Sequence, residues 1–173
     1  MFKKITTSII LIVFVLTCFC GCGGMNLFES YFVNDRQVAE ETLLKIFESL
    51  ENKDRETLKA VFSKKALKKA KDIDGSIDYL FDLFEGKAVS WDDSGGPIVD
   101  ESIEHGKKIK EYKSSYSVST EKQDYIFFLL GYSVDTNHPK NVGLYALRVI
   151  KAEDKETQLG YWQDMVIPGI YKP

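Results

Sequence analysis

The sequence predicts an α+β domain, a helical first half followed by an antiparallel sheet. Two observations carry this. Between residues 35 and 86 apolar residues recur at helical spacing behind side chains that cap helices; from residue 88 onward the period shortens to two or the apolar runs become continuous. Because helices and strands are segregated rather than alternating, the strands are expected to join by hairpin-type connections. The chain has 173 residues, and residues 34–173 are read as one domain with no internal repeat and no second boundary.

The elements follow in order. Asn34 can cap a first helix over about 35–52, with Gln37 as the reciprocal partner of a capping box. Val38, Leu43, Leu44, Phe47 and Leu50 form its inward face. Asp54 opens a second helix carrying Leu58, Val61 and Phe62; Ser63 opens a third, with Ala66 and Leu67 inward. Asp74 and Ser76 precede a fourth stripe of Ile77, Leu80, Phe81 and Phe84, and Gly86 is placed to end it. Val89 and Trp91 alternate with Ala88 and Ser90, as in a strand. Asp92 to Pro97 is a dense turn signal, and residues 98–106 read as a loop or irregular hairpin. From Ile109 to Ser119, Tyr112, Tyr116 and Val118 face one way and Glu111, Lys113 and Ser115 the other. Residues 124–134 and 142–150 are apolar on both faces, the pattern of strands covered on both sides; Arg148 alone interrupts the second. Tyr161, Trp162, Val166, Ile167 and Ile170 make an aromatic and aliphatic tail broken by Pro168 and Gly169.

The first 33 residues read differently. Lys3 and Lys4 precede an uncharged apolar run from Ile5 to Phe19, too short for a comfortable bilayer span and of the length of a signal peptide. Phe19-Cys20-Gly21-Cys22 then resembles a lipobox, with an apolar residue three before the cysteine and a small one just before it. Cys18 and Cys20 fit worse, because Thr17 and Phe19 precede them. Residues 1–21 are therefore expected to be removed, Cys22 to carry the lipid, and residues 22–33 to form a lipidated tether. The chain would sit on the extracytoplasmic face of the cell membrane. All three cysteines lie at or before residue 22, so the expected mature domain has no disulfide.

Composition narrows the chemistry. The net charge is -3, and removing residues 1–21 takes away two lysines and no acid, which leaves -5. An acidic chain lacks the general attraction that nucleic acid binding needs, and none is expected. Lys64, Lys65, Lys68, Lys69 and Lys71 cluster locally; they read as a solvated helix face or as a basic patch beside anionic lipid headgroups. His105 and His138 have no ligand spacing for zinc, and Asp92, Asp93 and Asp100 lack calcium-loop spacing, so no metal is expected. There is no Gly-x-Ser-x-Gly elbow and no phosphate-cradling glycine loop, and no cofactor or catalytic residue is assigned.

Two resemblances add to this reading. Asn52-Lys53-Asp54 followed by Leu58 and Val61-Phe62-Ser63 is similar to the helix-one to helix-two connection of the nuclear transport factor two-like superfamily. That resemblance implies a curved antiparallel sheet wrapped as a cone around N-terminal helices. Phe84-Glu85-Gly86-Lys87, Gly95-Gly96-Pro97, Asp135-Thr136-Asn137-His138-Pro139, Val142-Gly143-Leu144-Tyr145 and Tyr161-Trp162 with Pro168-Gly169-Ile170 resemble a family of small bacterial lipoproteins of unknown function. This likeness runs from about residue 35 onward and implies a fold and a location, with no activity and no catalytic residues.

Within a cone, Arg148 has two readings: an edge arginine laying its stem over apolar surface, or a cation inside the cone awaiting a carboxylate, with Trp91 and Tyr145 as neighbours. The leading functional expectation is a non-catalytic lipoprotein binding a small ligand or an envelope protein. One alternative is a module that dimerises through the apolar sheet face. The other is an isomerase or hydro-lyase, which needs a buried acid beside one of Tyr112, Tyr116, Tyr125, Tyr132 or Tyr145; Glu111 and Asp124 are read as too exposed.

Overall fold

In the computed structural model, residues 34–158 and 167–172 are described. The expected signal peptide, Cys22 and the tether lie outside them, as do Tyr161, Trp162 and Val166. The elements below all belong to one compact unit, Asn34–Pro173.

Four helices come first, each started by the side chain before it. In α1 (Asp35–Asn52), Asn34 Oδ1 accepts from the Gln37 amide at 3.4 Å. The Gln37 side chain donates to Glu41 instead of reaching back, so only half of the capping box forms. The buried stripe is Ala39, Leu43, Ile46, Phe47 and Leu50, while Leu44 is 42% exposed. Leu44 sits a 100° step from Leu43, and Ile46 takes the inward position expected of it. Asp54 caps α2 (Arg55–Ala60) through the Glu56 and Thr57 amides, both at 3.1 Å, and Ser63 caps α3 (Lys64–Lys69) through the Ala66 amide at 3.1 Å. α4 (Ile73–Leu83) begins earlier than expected: Asp72 is its cap, 3.0 Å from the Gly75 amide. Asp74 is drawn instead into ion pairs with Arg55 and Lys59. The helix closes on an extended Phe84, and Gly86 turns the chain two residues later at φ +82°, where a Cβ would stand 3.1 Å from Thr120 Oγ1.

Six strands form one curved, unclosed sheet: β1 (Ala88–Asp93), β2 (Ile98–Glu104), β3 (Lys107–Thr120), β4 (Asp124–Asp135), β5 (Gly143–Lys151) and β6 (Gly169–Ile170). The order is β1-β3-β4-β5-β6, and β2 pairs with β3 as well. One edge of β3 thus serves two strands in succession, β2 along Lys107–Lys113 and β1 along Tyr116–Thr120. Residues 98–106 are therefore a regular hairpin arm and not a loop, closed by His105-Gly106, both at positive φ. Every residue of β2 is exposed, so no buried alternation marks it in the sequence. The sheet is also mixed and not wholly antiparallel, because β6 pairs parallel to β5 through Gly169 and Ile170. Register shifts at Ala88/Ser90, Lys110/Glu111 and Leu130/Gly131 insert extra residues, and such bulges bend a sheet.

The helices cover one face. Phe127 is fully buried there, with the rings of Phe47, Phe84 and Tyr125 at 5.5, 6.1 and 6.4 Å. The Tyr125 hydroxyl donates to the Leu83 carbonyl and accepts from the Glu85 amide, which ties the end of α4 to β4. Ile126, Leu130, Ala146 and Ile150 are buried as well although they lie outside that core cluster. The apolar residues on both sides of β4 and β5 are thus covered within one chain. The exposed apolar row lies on β1 and β2, at Val89, Ile98 and Ile103.

Candidate functional site

The site is built where β4 ends. Asp135 is buried, and its Oδ1 accepts from the Asn137 and His138 amides at 3.0 and 2.8 Å. Its Oδ2 accepts from Asn141 Nδ2 at 2.6 Å. One carboxylate thus folds residues 136–142 around itself, with Pro139–Asn141 as a single 3₁₀ turn. Gly143 then passes under α3 at φ +117°, where a Cβ would meet Ser63 N at 3.1 Å. That close approach lets Leu144 exchange backbone hydrogen bonds with Val61 and Ser63 at 2.9 and 2.8 Å. Ser63 also caps α3, so the helix and the loop are fixed to each other through backbone.

A groove of about 650 Å³ opens between them, lined by Lys64, Lys65, Lys68 and Lys140 with Asn137, His138, Pro139 and Asn141. No carboxylate lines it, and among the described residues none of its four lysines makes an ion pair. A second cleft of about 510 Å³ shares Lys65, His138 and Asn141 and runs on past Ser102, Glu111, Tyr132 and Asp135. Together they form a trough that is basic at α3 and acidic toward β2.

The acid-and-tyrosine arrangement of a hydro-lyase needs a carboxylate free to take a proton. Asp135 is engaged by three donors. Asp35, in the first turn of α1, holds Lys110 Nζ at 2.5 Å and accepts from Ser133 Oγ. Glu111 is hydrogen-bonded to Tyr132 and pairs with Lys113 at 3.0 Å. Burial, then the Glu111 carboxylate, pushes the Tyr132 phenol well above its ordinary value, so it is a neutral donor. Burial pushes the Tyr112 phenol up to about 12, with a Thr42 hydrogen bond acting the other way. An acid does sit beside a tyrosine, as a hydro-lyase requires, but each such acid is held by fixed donors. Among the described residues no group of three or more His, Cys, Asp or Glu side chains is arranged to hold a metal.

The three residues expected to share a pocket stand apart. Trp91 lies on β1, its ring 5.6 Å from Phe47, beside a hollow of about 350 Å³ that also takes in Arg36, Asp93 and Tyr116. Tyr145 packs edge-on against Tyr132 at 6.1 Å, one ring removed from the trough. Leu147 and Val149 belong to the core, so Arg148 between them projects from the opposite face of β5 and not into the helix-lined interior. It is 5% exposed; its guanidinium stacks 4.3 Å from the Tyr171 ring and donates to the Gln158 carbonyl, the last residue of α5 (Lys155–Gln158). Its Nε is buried and has no hydrogen-bond partner among the described residues. Arg148 therefore fastens two later segments to the sheet. Arg148→Ala is expected to cost about 2 kcal/mol in urea unfolding, from lost stacking and a lost charged hydrogen bond. Arg148→Lys should recover less than half of that loss, because an ammonium lacks the planar stack.

Sequence reasoning did not single out Asp135 as the organiser of this region. An aspartate two and three residues ahead of the amides it collects is an Asx-turn signal, and it stands in Asp135-Thr136-Asn137-His138. Lys140 could not have been joined to the α3 lysines, since more than seventy residues separate them.

Fold and site define an α+β domain that presents a basic trough at one end of its sheet. The chain belongs to the family described as Domain of unknown function (DUF5104), which matches residues 45–152. The match includes α3, the Asp135 loop and β5, and it leaves out Asp35, Gln158 and Tyr171. No curated protein matches the chain.

Proposed function

We propose that this protein is a lipid-anchored, extracytoplasmic binding protein that works without catalysis. In this reading residues 1–21 direct export, Cys22 carries the lipid and residues 22–33 tether a domain of nuclear transport factor two-like architecture. Helices preceding a curved sheet support the architecture. The observation that carries binding over catalysis is the trough itself. Its buried acid, Asp135, is engaged by three structural donors, while the four lysines at its rim have no carboxylate partner among the described residues. Such a site attracts and orients an anionic or mixed-charge ligand.

Native mass spectrometry of the mature chain, extracted from its own host, tests both halves. An acyl-modified Cys22 at the N-terminus and a non-covalently bound small molecule are expected. The bound molecule should be lost from a Lys65→Ala, Lys140→Ala double variant that keeps its circular dichroism. Cys22→Ala is expected to accumulate as precursor or to leave the membrane, and normal processing and anchoring of that variant would end the anchor reading. A second reading, self-association through the sheet, is favoured by one feature: β2 is an edge strand with Ile98 and Ile103 exposed. A ligand-free dimer that dissociates on Ile103→Lys would select it.

A further inference from the structure

We infer that the α3 face is a docking surface for the anionic headgroups of a lipid bilayer, an inference that rests on the lipid-anchor reading above. Three observations converge. First, the basic face extends beyond the groove: Lys69, Lys71 and Lys172 line the adjoining hollow with Ile167. Several lysines elsewhere are paired with carboxylates, as in Lys59 with Asp74, Lys108 with Glu101 and Lys113 with Asp100 and Glu111. On a chain that is acidic in total, Lys64, Lys65, Lys68 and Lys140 converge on a groove that no carboxylate lines, while Asp72 lines the adjoining hollow.

Second, the face carries bare apolar side chains among the cations. Ile167 is 52% exposed beside Lys71, and Val142, two residues from Lys140, is 43% exposed. Cations mixed with exposed aliphatics suit an interface in which headgroups meet the charges and the aliphatics reach the acyl boundary. Third, the described chain begins at this same end. Asp35 is bonded to Ser133, and Ser133 lies two residues before Asp135, whose carboxylate builds the loop bearing Lys140. A tether of residues 22–33 could reach at most roughly 40 Å. A reach of that length lets an acyl chain and the basic face engage one bilayer together, and one acyl anchor with one polybasic surface is a recognised two-signal arrangement.

The test is amine footprinting of the whole acylated chain in lipid vesicles. In vesicles containing phosphatidylglycerol, at low salt, labelling of Lys64, Lys65, Lys68 and Lys140 should fall several-fold relative to Lys122. Lys122 lies in the β3–β4 turn, at the opposite end of β4. The protection should vanish in pure phosphatidylcholine and at high salt. A Lys64→Gln, Lys68→Gln double variant changes surface charge alone and should weaken the docked state roughly 30-fold, freeing Lys65 and Lys140. Equal labelling in anionic and neutral vesicles, or protection that survives the double variant, overturns the inference. Equal protection by inorganic phosphate without any bilayer also overturns it, in favour of a soluble anion. The anchor reading is scored separately, by whether the chain stays with vesicles washed at high salt.

Discussion

Phe127→Ala is expected to remove about 4 kcal/mol of stability and to lower Tm by roughly 15 °C. Phe127 is central in three senses. It lies on β4, which is flanked by strands on both sides; its side chain is wholly buried; and its ring touches aromatic rings from α1, from the end of α4 and from its own strand. Truncation leaves a cavity that rings held at three separate elements cannot collapse to fill. A domain of this size has about 5–15 kcal/mol in total, so the variant should be partly unfolded near body temperature. Urea unfolding with an unchanged m-value checks the size of the loss. A loss below about 1 kcal/mol would mean that the helices do not close over the sheet at this point.

Asp135→Ala is expected to cost about 3 kcal/mol, for a different reason. Three donors lose their acceptor at once, and one of them, the Asn141 side chain, is buried. Asp135→Asn should lose less, because a side-chain carbonyl can still accept from the two amides. A double-mutant cycle separates the pair: adding Asn141→Ala to Asp135→Ala should cost little more than Asp135→Ala alone. Additive losses would show that the two side chains act independently. The same substitution is expected to loosen the 136–142 loop and so scatter Lys140 and His138 away from the α3 lysines.

Features encoded within a few residues were legible in advance. Asp54 and Ser63 cap their helices because a short polar side chain reaches its own following amides whatever the tertiary context. α4 was misplaced at its start because Asp74, a good cap by type, is recruited by Arg55 and Lys59 from another helix, an event no local pattern records. β2 left no periodic trace because neither of its faces is buried. β6 is two residues long and parallel, which demands a partner far back in the chain.

The site follows the same division. Arg148 stood out as a charge in an apolar strand, and it is unusual in the structure too. Its partners Tyr171 and Gln158 lie in later segments and could not be named from the sequence. Trp91 and Arg148 were grouped by residue chemistry alone. The pairing order places β3 and β4 between their strands, and register puts Arg148 on the face away from the core. The α3 lysines were visible as a cluster, but their convergence with Lys140 depends on the backbone exchange between Leu144, Val61 and Ser63.

The strand with no buried residue has a kinetic consequence. β2 is held by its ladder to β3, by Glu101, which reaches Lys108 and Lys110, and by Asp100, which pairs with Lys113, while the packed core lies elsewhere. Its opening needs no apolar surface to be re-solvated beyond the hairpin itself, so its free energy lies well below that of global unfolding. The amides of Ile98–Glu104 therefore belong to a sub-global unit that exchanges hydrogen with solvent while β4 stays closed. The domain breathes along one rim of its sheet without coming apart.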